Sequence, residues 1–182
     1  MTCIVALEHK GTAYLGSDSF MGNADSRDQT SRPKFFTKGD QFVVGFAGSF
    51  RGAQVVEHDI KFRQCRSTED AEAYLVVEVA KKLQHVFSQV GANVKNEETQ
   101  DSTDASFLIC LHGKVFTLQQ DYSVIRSSHG FASIGIGRDF ALGALSAMVR
   151  MRLSPEEKIR RALEIATDLS PQVCGPFHII EV

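Results

Sequence analysis

An apolar run from Cys3 to Glu8 and a second from Thr12 to Asp18 flank His9-Lys10-Gly11, a pattern that predicts two strands joined by a tight turn. A polar stretch, Gly22 to Arg32, follows without apolar period. Pro33-Lys34-Phe35-Phe36 then predicts a short strand, Gly39-Asp40 a turn, and Gln41 to Ala47 a strong strand that stops at Gly48. Ser49 precedes Gln54, Val55, Val56, Ile60 and Phe62, whose spacing predicts a capped helix. Ser67, with Glu69 and Asp70 behind it, predicts a second helix start, and Tyr74, Val77, Ala80, Leu83, Val86 and Phe87 recur at helical spacing.

Gly91 to Asp104 is polar and poor in core residues, which predicts a mobile loop. Strands resume at Ala105 to Leu111 and Lys114 to Gln119, around His112-Gly113, and again at Phe131 to Ile136. Asp139 to Met151 predicts a helix with Ala141, Ala144, Leu145 and Met148 on its packing face. Ser154-Pro155-Glu156-Glu157 is a capping box with proline at the first helical position, and it opens the last helix, through Leu163 and Ile165. Phe177 to Val182 predicts a closing strand.

Strands, two helices, strands, two helices and a final strand predict an α+β fold in which antiparallel sheets are covered by helix pairs, a four-layer α-β-β-α sandwich. A plain α+β domain is the alternative. The 182 residues are expected to form one domain, residues 1–182, because a chain of this length buries roughly two-thirds of its unfolded surface in one core.

Charge and cysteine usage narrow the function classes. Twenty Lys plus Arg nearly cancel twenty-two Asp plus Glu, and no basic stripe predicts nucleic-acid binding. No apolar run is long enough to span a bilayer and no secretory signal is visible, which predicts a cytoplasmic protein with no membrane partner. Cys3, Cys65, Cys110 and Cys174 are far apart and make no C-x-x-C pair, and the six histidines form no ligand cluster, so zinc-type chemistry is not expected.

The blocks TCIVALEHKGTAYLGSDS, PKFF before FVVGFAGS, SIGIGRDFALGA and CGPFHIIEV, in this order and spacing, resemble the proteasome-type N-terminal nucleophile hydrolases, and within them the bacterial HslV (ClpQ) peptidase subunits. The resemblance implies the same four-layer sandwich, a threonine endopeptidase, and a self-compartmentalising assembly of two stacked hexameric rings, a dodecamer. It also implies an AAA+ unfoldase ATPase as partner and unfolded polypeptides as substrates.

The chemistry gives the blocks a reason. A threonine hydroxyl is a poor nucleophile unless a base stands beside it, and a threonine with a free α-amino group carries that base itself. Removal of Met1 would expose Thr2 in this role. By the resemblance, Lys34 lowers the basicity threshold of the amine, Asp18 holds Lys34, the Gly48 N–H stabilises the oxyanion, and Asp168 is a further acid near the site. The same resemblance places a structural monovalent cation, Na+ or K+, on carbonyls of Thr167, Ser170 and Val173, requires no cofactor for the chemistry, and sets Phe46 beside the specificity pocket. Alternation along the first strand turns Cys3 away from Thr2, so Cys3 is expected to pack in the core.

The chain departs from the family in one block, and TDLSPQVCGP carries one more residue than its HslV counterpart. Where the family has Gly-Ser-Gly, it has Gly135-Ile136-Gly137, and an isoleucine neither donates nor accepts a hydrogen bond. Ser133, three residues away, is expected to face the other side of the strand. Ile136, and the Met1 in front of Thr2, keep open a catalytically silent ring subunit with a scaffold or interaction role. An amidase of the same nucleophile class acting on small amides is a further alternative.

Overall fold

The structure is a computed structural model and describes residues 1–22, 26–39, 41–94 and 102–182. Strand β1 (Cys3–His9) turns back at Lys10-Gly11 into β2 (Thr12–Ser17). Two short strands, β3 (Phe20–Gly22) and β4 (Arg27–Gln29), pair with each other, and β4 lies inside the segment expected to be irregular. Then come β5 (Phe35–Lys38), β6 (Phe42–Ala47) and α1 (Phe50–Gln54), which continues as a π-helical turn over Val55–Asp59. Helix α2 (Ala71–Tyr74) passes through a π-helical stretch, Leu75–Ala80, into α3 (Lys81–Val90). The two-residue strands β7 (Asn93–Val94) and β8 (Ser102–Thr103) pair with each other. The chain ends with β9 (Ser106–Leu111), β10 (Lys114–Leu118), β11 (Val124–Arg126), β12 (Phe131–Gly135), α4 (Arg138–Met148), α5 (Pro155–Leu169) and β13 (His178–Glu181).

Two antiparallel sheets result, ordered β12-β1-β2-β13 and β11-β10-β9-β6-β5. Side chains alternate across each strand, so both sheets have two apolar faces to cover. Ile4, Ala6 and Leu15 from the first sheet meet Val43, Leu108 and Cys110 from the second. Cys3, Val5 and Leu7, on the opposite face of β1, pack under Ala141, Leu145, Ile159 and Leu163 of α4 and α5. Phe42, Val44 and Phe46 pack under Tyr74, Leu83 and Phe87 of the other helices. Three buried seams between four layers make the α-β-β-α sandwich that the order of elements predicts. Between the sheets a Cβ on Gly45 would lie 2.7 Å from Ile4 Cγ2, a contact that only a glycine leaves room for.

Several boundaries differ from the sequence reading. The first helical segment stops at Asp59; Ile60 is extended (ψ 128°) and buried, and Phe62 packs on Phe42 from irregular chain, so helical spacing continued past the helix itself. The second helix is capped by Asp70, whose carboxylate accepts from Ala73 N at 2.7 Å, and not by Ser67. The strand from Phe131 ends at Gly135 rather than Ile136. β11 has no counterpart in the reading of the sequence. The loop expected over Gly91 to Asp104 is partly the β7–β8 pair, while residues 95–101 and Asp40 of the expected turn lie outside the described residues.

Candidate active site

The site is built where β1 begins and β2 ends. Asp18 follows the last residue of β2, and its backbone N–H donates to Cys3 O at 3.1 Å. In return Cys3 N–H donates to Asp18 Oδ1 at 2.9 Å, and Phe20 N–H to Asp18 Oδ2 at 3.0 Å. Asp18 therefore fixes the first residues of the chain before any side-chain chemistry is considered.

Lys34 stands immediately before β5. Its backbone N–H donates to Ser17 Oγ at 3.3 Å and its carbonyl accepts from Phe46 N at 3.1 Å, so both sheets hold it. Its ammonium donates to Asp18 Oδ1 at 2.7 Å and to Met1 O at 3.2 Å, and both members of the ion pair are fully buried. Burial pushes the Lys34 ammonium below its ordinary value, and the Asp18 carboxylate opposes that push. A buried pair of this kind is costly to form and much more costly to break from one side.

Thr2 is 2% exposed, and its hydroxyl donates to Met1 O, the same carbonyl that Lys34 reaches. Thr2, Lys34 and the Met1–Thr2 peptide thus share one small volume. The Met1 α-amine in front of it is held below its ordinary value, by burial first and by the Lys34 charge second, with Asp18 opposing.

Gly135 and Gly137 hold Thr2 from the other side. Gly137 N–H donates to Thr2 O at 3.3 Å. Gly135 has φ +93°, and a Cβ there would lie 2.1 Å from Thr2 O; a Cβ on Gly137 would meet Cys3 Cβ at 2.8 Å. Ile136 between them is 54% exposed, turned out to solvent. Neither glycine is among the residues that the sequence singles out as Thr2 contacts, where this block stands out only for its missing hydroxyl. The detectable signal was the Gly-x-Gly spacing itself at a strand end.

Gly48 ends β6 two residues beyond the Phe46 that bonds Lys34. Its φ is +101°, and a Cβ would lie 2.0 Å from Asp104 O, so the position takes only glycine. Ser49 caps α1 by accepting from Gly52 N at 3.1 Å.

The other candidates fall elsewhere. Asp168 is exposed on α5 and, among the described residues, makes no hydrogen bond to Thr2, Asp18 or Lys34; the helix period that buries Ala162, Leu163 and Ala166 turns it outward. Thr167 donates its hydroxyl back to Leu163 O at 3.0 Å. Ser170 ends α5, and its carbonyl accepts from Val173 N at 3.3 Å, while Val173 Cγ2 lies 3.0 Å from where a Gly137 Cβ would be. Phe46 is a core side chain, edge-on to Phe50 at 5.4 Å, because β6 turns it toward the helices.

Cys3 packs under α4 and α5, and burial raises its thiol to about 12, with the Asp18 charge adding to the rise. Ser133 pairs across from Val5, on that same helix-facing side, and donates to Ile4 O at 2.7 Å. Among the described residues no group of three or more His, Cys, Asp or Glu could hold a metal ion, and no helix is long and apolar enough to cross a membrane.

Three comparisons relate the chain to known proteins. The proteasome subunit family model matches residues 1–172. The chain is 24% identical over 172 residues to the ATP-dependent protease subunit HslV of Pediococcus pentosaceus, covering 92% of this chain and 87% of that one. Among solved structures, Thiobacillus denitrificans BPH superposes with a TM-score of 0.83 at 17% identity, covering 99% of this chain and 97% of that chain. HslV of Trypanosoma brucei gives 0.72 at 20% identity, covering 98% of each chain. These structural likenesses carry the fold. With a family model spanning nearly the whole chain, this protein belongs to the proteasome subunit family.

Proposed function

We propose that the chain is a threonine peptidase that cleaves peptide bonds through Thr2 once Met1 is removed. The observation that carries this reading is the buried Lys34–Asp18 pair directed at the Met1–Thr2 peptide, whose nitrogen becomes the terminal amine on loss of Met1.

In that state the Thr2 amine takes the hydroxyl proton as Oγ attacks the scissile carbonyl. The Gly48 N–H stabilises the tetrahedral oxyanion, the amine returns the proton to the leaving nitrogen, and an acyl ester on Thr2 remains. Water activated by the same amine then hydrolyses the ester. The burial and the Lys34 charge that depress the Met1 amine would act on the Thr2 amine too, keeping more of it neutral at pH 7.

By the same reading the subunits assemble as stacked hexameric rings in the cytoplasm and receive unfolded polypeptide from an ATPase; the similar HslV of Pediococcus pentosaceus is a subunit of an ATP-dependent protease. Carbonyls of Thr167, Ser170 and Val173 are the proposed seat of Na+ or K+. Asp168 would need to turn inward to join the catalytic group.

Ile136 favours a second reading, a ring subunit that assembles but does not cleave, since no hydroxyl stands at that position to relay protons. One experiment separates the two. Protein is prepared with Met1 removed and with Met1 retained, both confirmed by intact mass, and assayed on fluorogenic peptides beside a sizing measurement. The peptidase reading expects turnover only from the Met1-free chain, rising with pH through a midpoint below 8, the ordinary α-amino value. Ring assembly without turnover in both preparations would establish the silent subunit instead.

A further inference from the structure

Thr2 lies just before β1, and the opposite end of that seven-residue strand is on the order of 20 Å away. There the hairpin turns of both sheets meet. Lys10 and His112, the first residues of their turns, are both left-handed (φ 50° and 52°) and are followed by Gly11 and Gly113. A Cβ on Gly113 would lie 1.9 Å from Gly11 O, so the two turns are in backbone contact and form a fixed lip.

Beside that lip runs an open groove of about 710 Å³ whose wall carries Lys10, His112, Lys114 and Arg126. Its single carboxylate, Glu8, is already engaged: Oε1 accepts from Val115 N at 2.9 Å and Arg126 Nε at 3.3 Å, and Oε2 from Arg126 Nη2 at 2.8 Å. Among the described residues neither Lys10 nor Lys114 lies within ion-pair distance of a carboxylate. On a chain of net charge −2 the wall of this groove is locally cationic.

A second recess, about 140 Å³, adjoins the groove and is walled by Leu7, Phe131, Leu145, Val149, Leu153 and Pro155. The two share Glu8, His9, His129 and Gly130. His129 stacks on Phe131 at 5.7 Å and 27°, at the join. Lys158 Nζ donates to Val149 O at 3.2 Å and ties the end of α4 to α5 behind the recess.

We propose that this pole docks an acidic peptide segment of a partner protein, with one branched aliphatic side chain in the apolar recess and flanking carboxylates along Lys10, His112 and Lys114. Charge complementarity selects the acidic flanks, and the adjoining recess selects an apolar anchor. A phosphate-rich polymer would use the groove and leave the recess empty, and a neutral apolar compound would do the reverse. Docking here leaves the Thr2 site unobstructed and does not depend on its activity.

The test is fluorescence anisotropy of the full chain with fluorescein-labelled Glu-Glu-Leu-Glu-Glu, and with the same peptide carrying Ser in place of Leu. We expect saturable binding of the first, weakened about tenfold or more by Lys10→Glu/Lys114→Glu and by Val149→Asp, and similarly by the Ser replacement. Val149 is 54% exposed, so its substitution spares the core, and circular dichroism checks each variant. Absence of binding, equal binding of the Ser peptide, or self-association that Lys10→Glu/Lys114→Glu abolishes would overturn the proposal, the last by making the occupant a second copy. Peptide turnover at Thr2 is expected to be the same in all these variants, and a chain inactive at Thr2 still gives the binding result.

Discussion

Replacing Lys34 by Met is expected to destabilise the protein by about 3–5 kcal/mol and to abolish peptide turnover in the Met1-free chain. The cause is the carboxylate left behind: Asp18 is fully buried, and without the 2.7 Å bond from Lys34 its charge is answered, among the described residues, by the N–H groups of Cys3 and Phe20. Urea denaturation measures the loss. The double variant Lys34→Met/Asp18→Asn removes both charges and should recover part of the stability, because removing a buried pair whole costs far less than removing half of it. It should recover no turnover, since the cation beside the Thr2 amine is still missing. A Lys34→Met chain as stable as the parent would contradict a stabilising role for the Lys34–Asp18 pair.

Thr2→Ala carries the second large effect. Loss of the hydroxyl is expected to reduce turnover by at least about a thousandfold, the order of loss seen when an acyl-transfer nucleophile is removed. Its structural cost should be small. Among the described residues the Thr2 hydroxyl bonds Met1 O, whereas the strand end is held through the backbone, by Cys3 N–H on Asp18 and by Gly137 N–H on Thr2 O. Thr2→Ser, which keeps the hydroxyl and loses the methyl, should retain measurable turnover. Steady-state assays on one fluorogenic peptide, with Met1 removal confirmed by mass for each variant, make the comparison.

The layers were legible because their signals are local. Lys10-Gly11 and His112-Gly113 mark their hairpins, and the Ser154-Glu157 box marks the start of α5 with both of its reciprocal bonds present. Two nearby caps competed at the second helix, and Asp70 prevailed over Ser67 by bonding Ala73 N directly. β11 escaped because three residues at a sheet edge have too little period to read.

The site was legible to a different degree. Asp18 at a strand end and Lys34 before a strand are unremarkable alone, and only their resemblance to family blocks singled them out. Their separation of 16 residues closes to 2.7 Å because two different sheets present them to each other, a long-range fact that no local pattern encodes. Gly135 and Gly137 were missed for the same reason, since what they make room for is the Thr2 carbonyl and the Cys3 side chain, more than 130 residues earlier. Asp168 was carried over by resemblance, and its outward position follows from which side of α5 is apolar.

The central claim is that Thr2, with its own amine free, is the nucleophile. A peptide epoxyketone offers electrophilic carbons to both a hydroxyl and an adjacent amine, so it reports on the two groups together. Intact-mass spectrometry of the Met1-free chain after incubation with such a reagent should show one adduct per chain, mapped to Thr2, and none on Thr2→Ala or on protein that retains Met1. An unmodified Met1-free chain, or an adduct that persists in Thr2→Ala, would contradict the account.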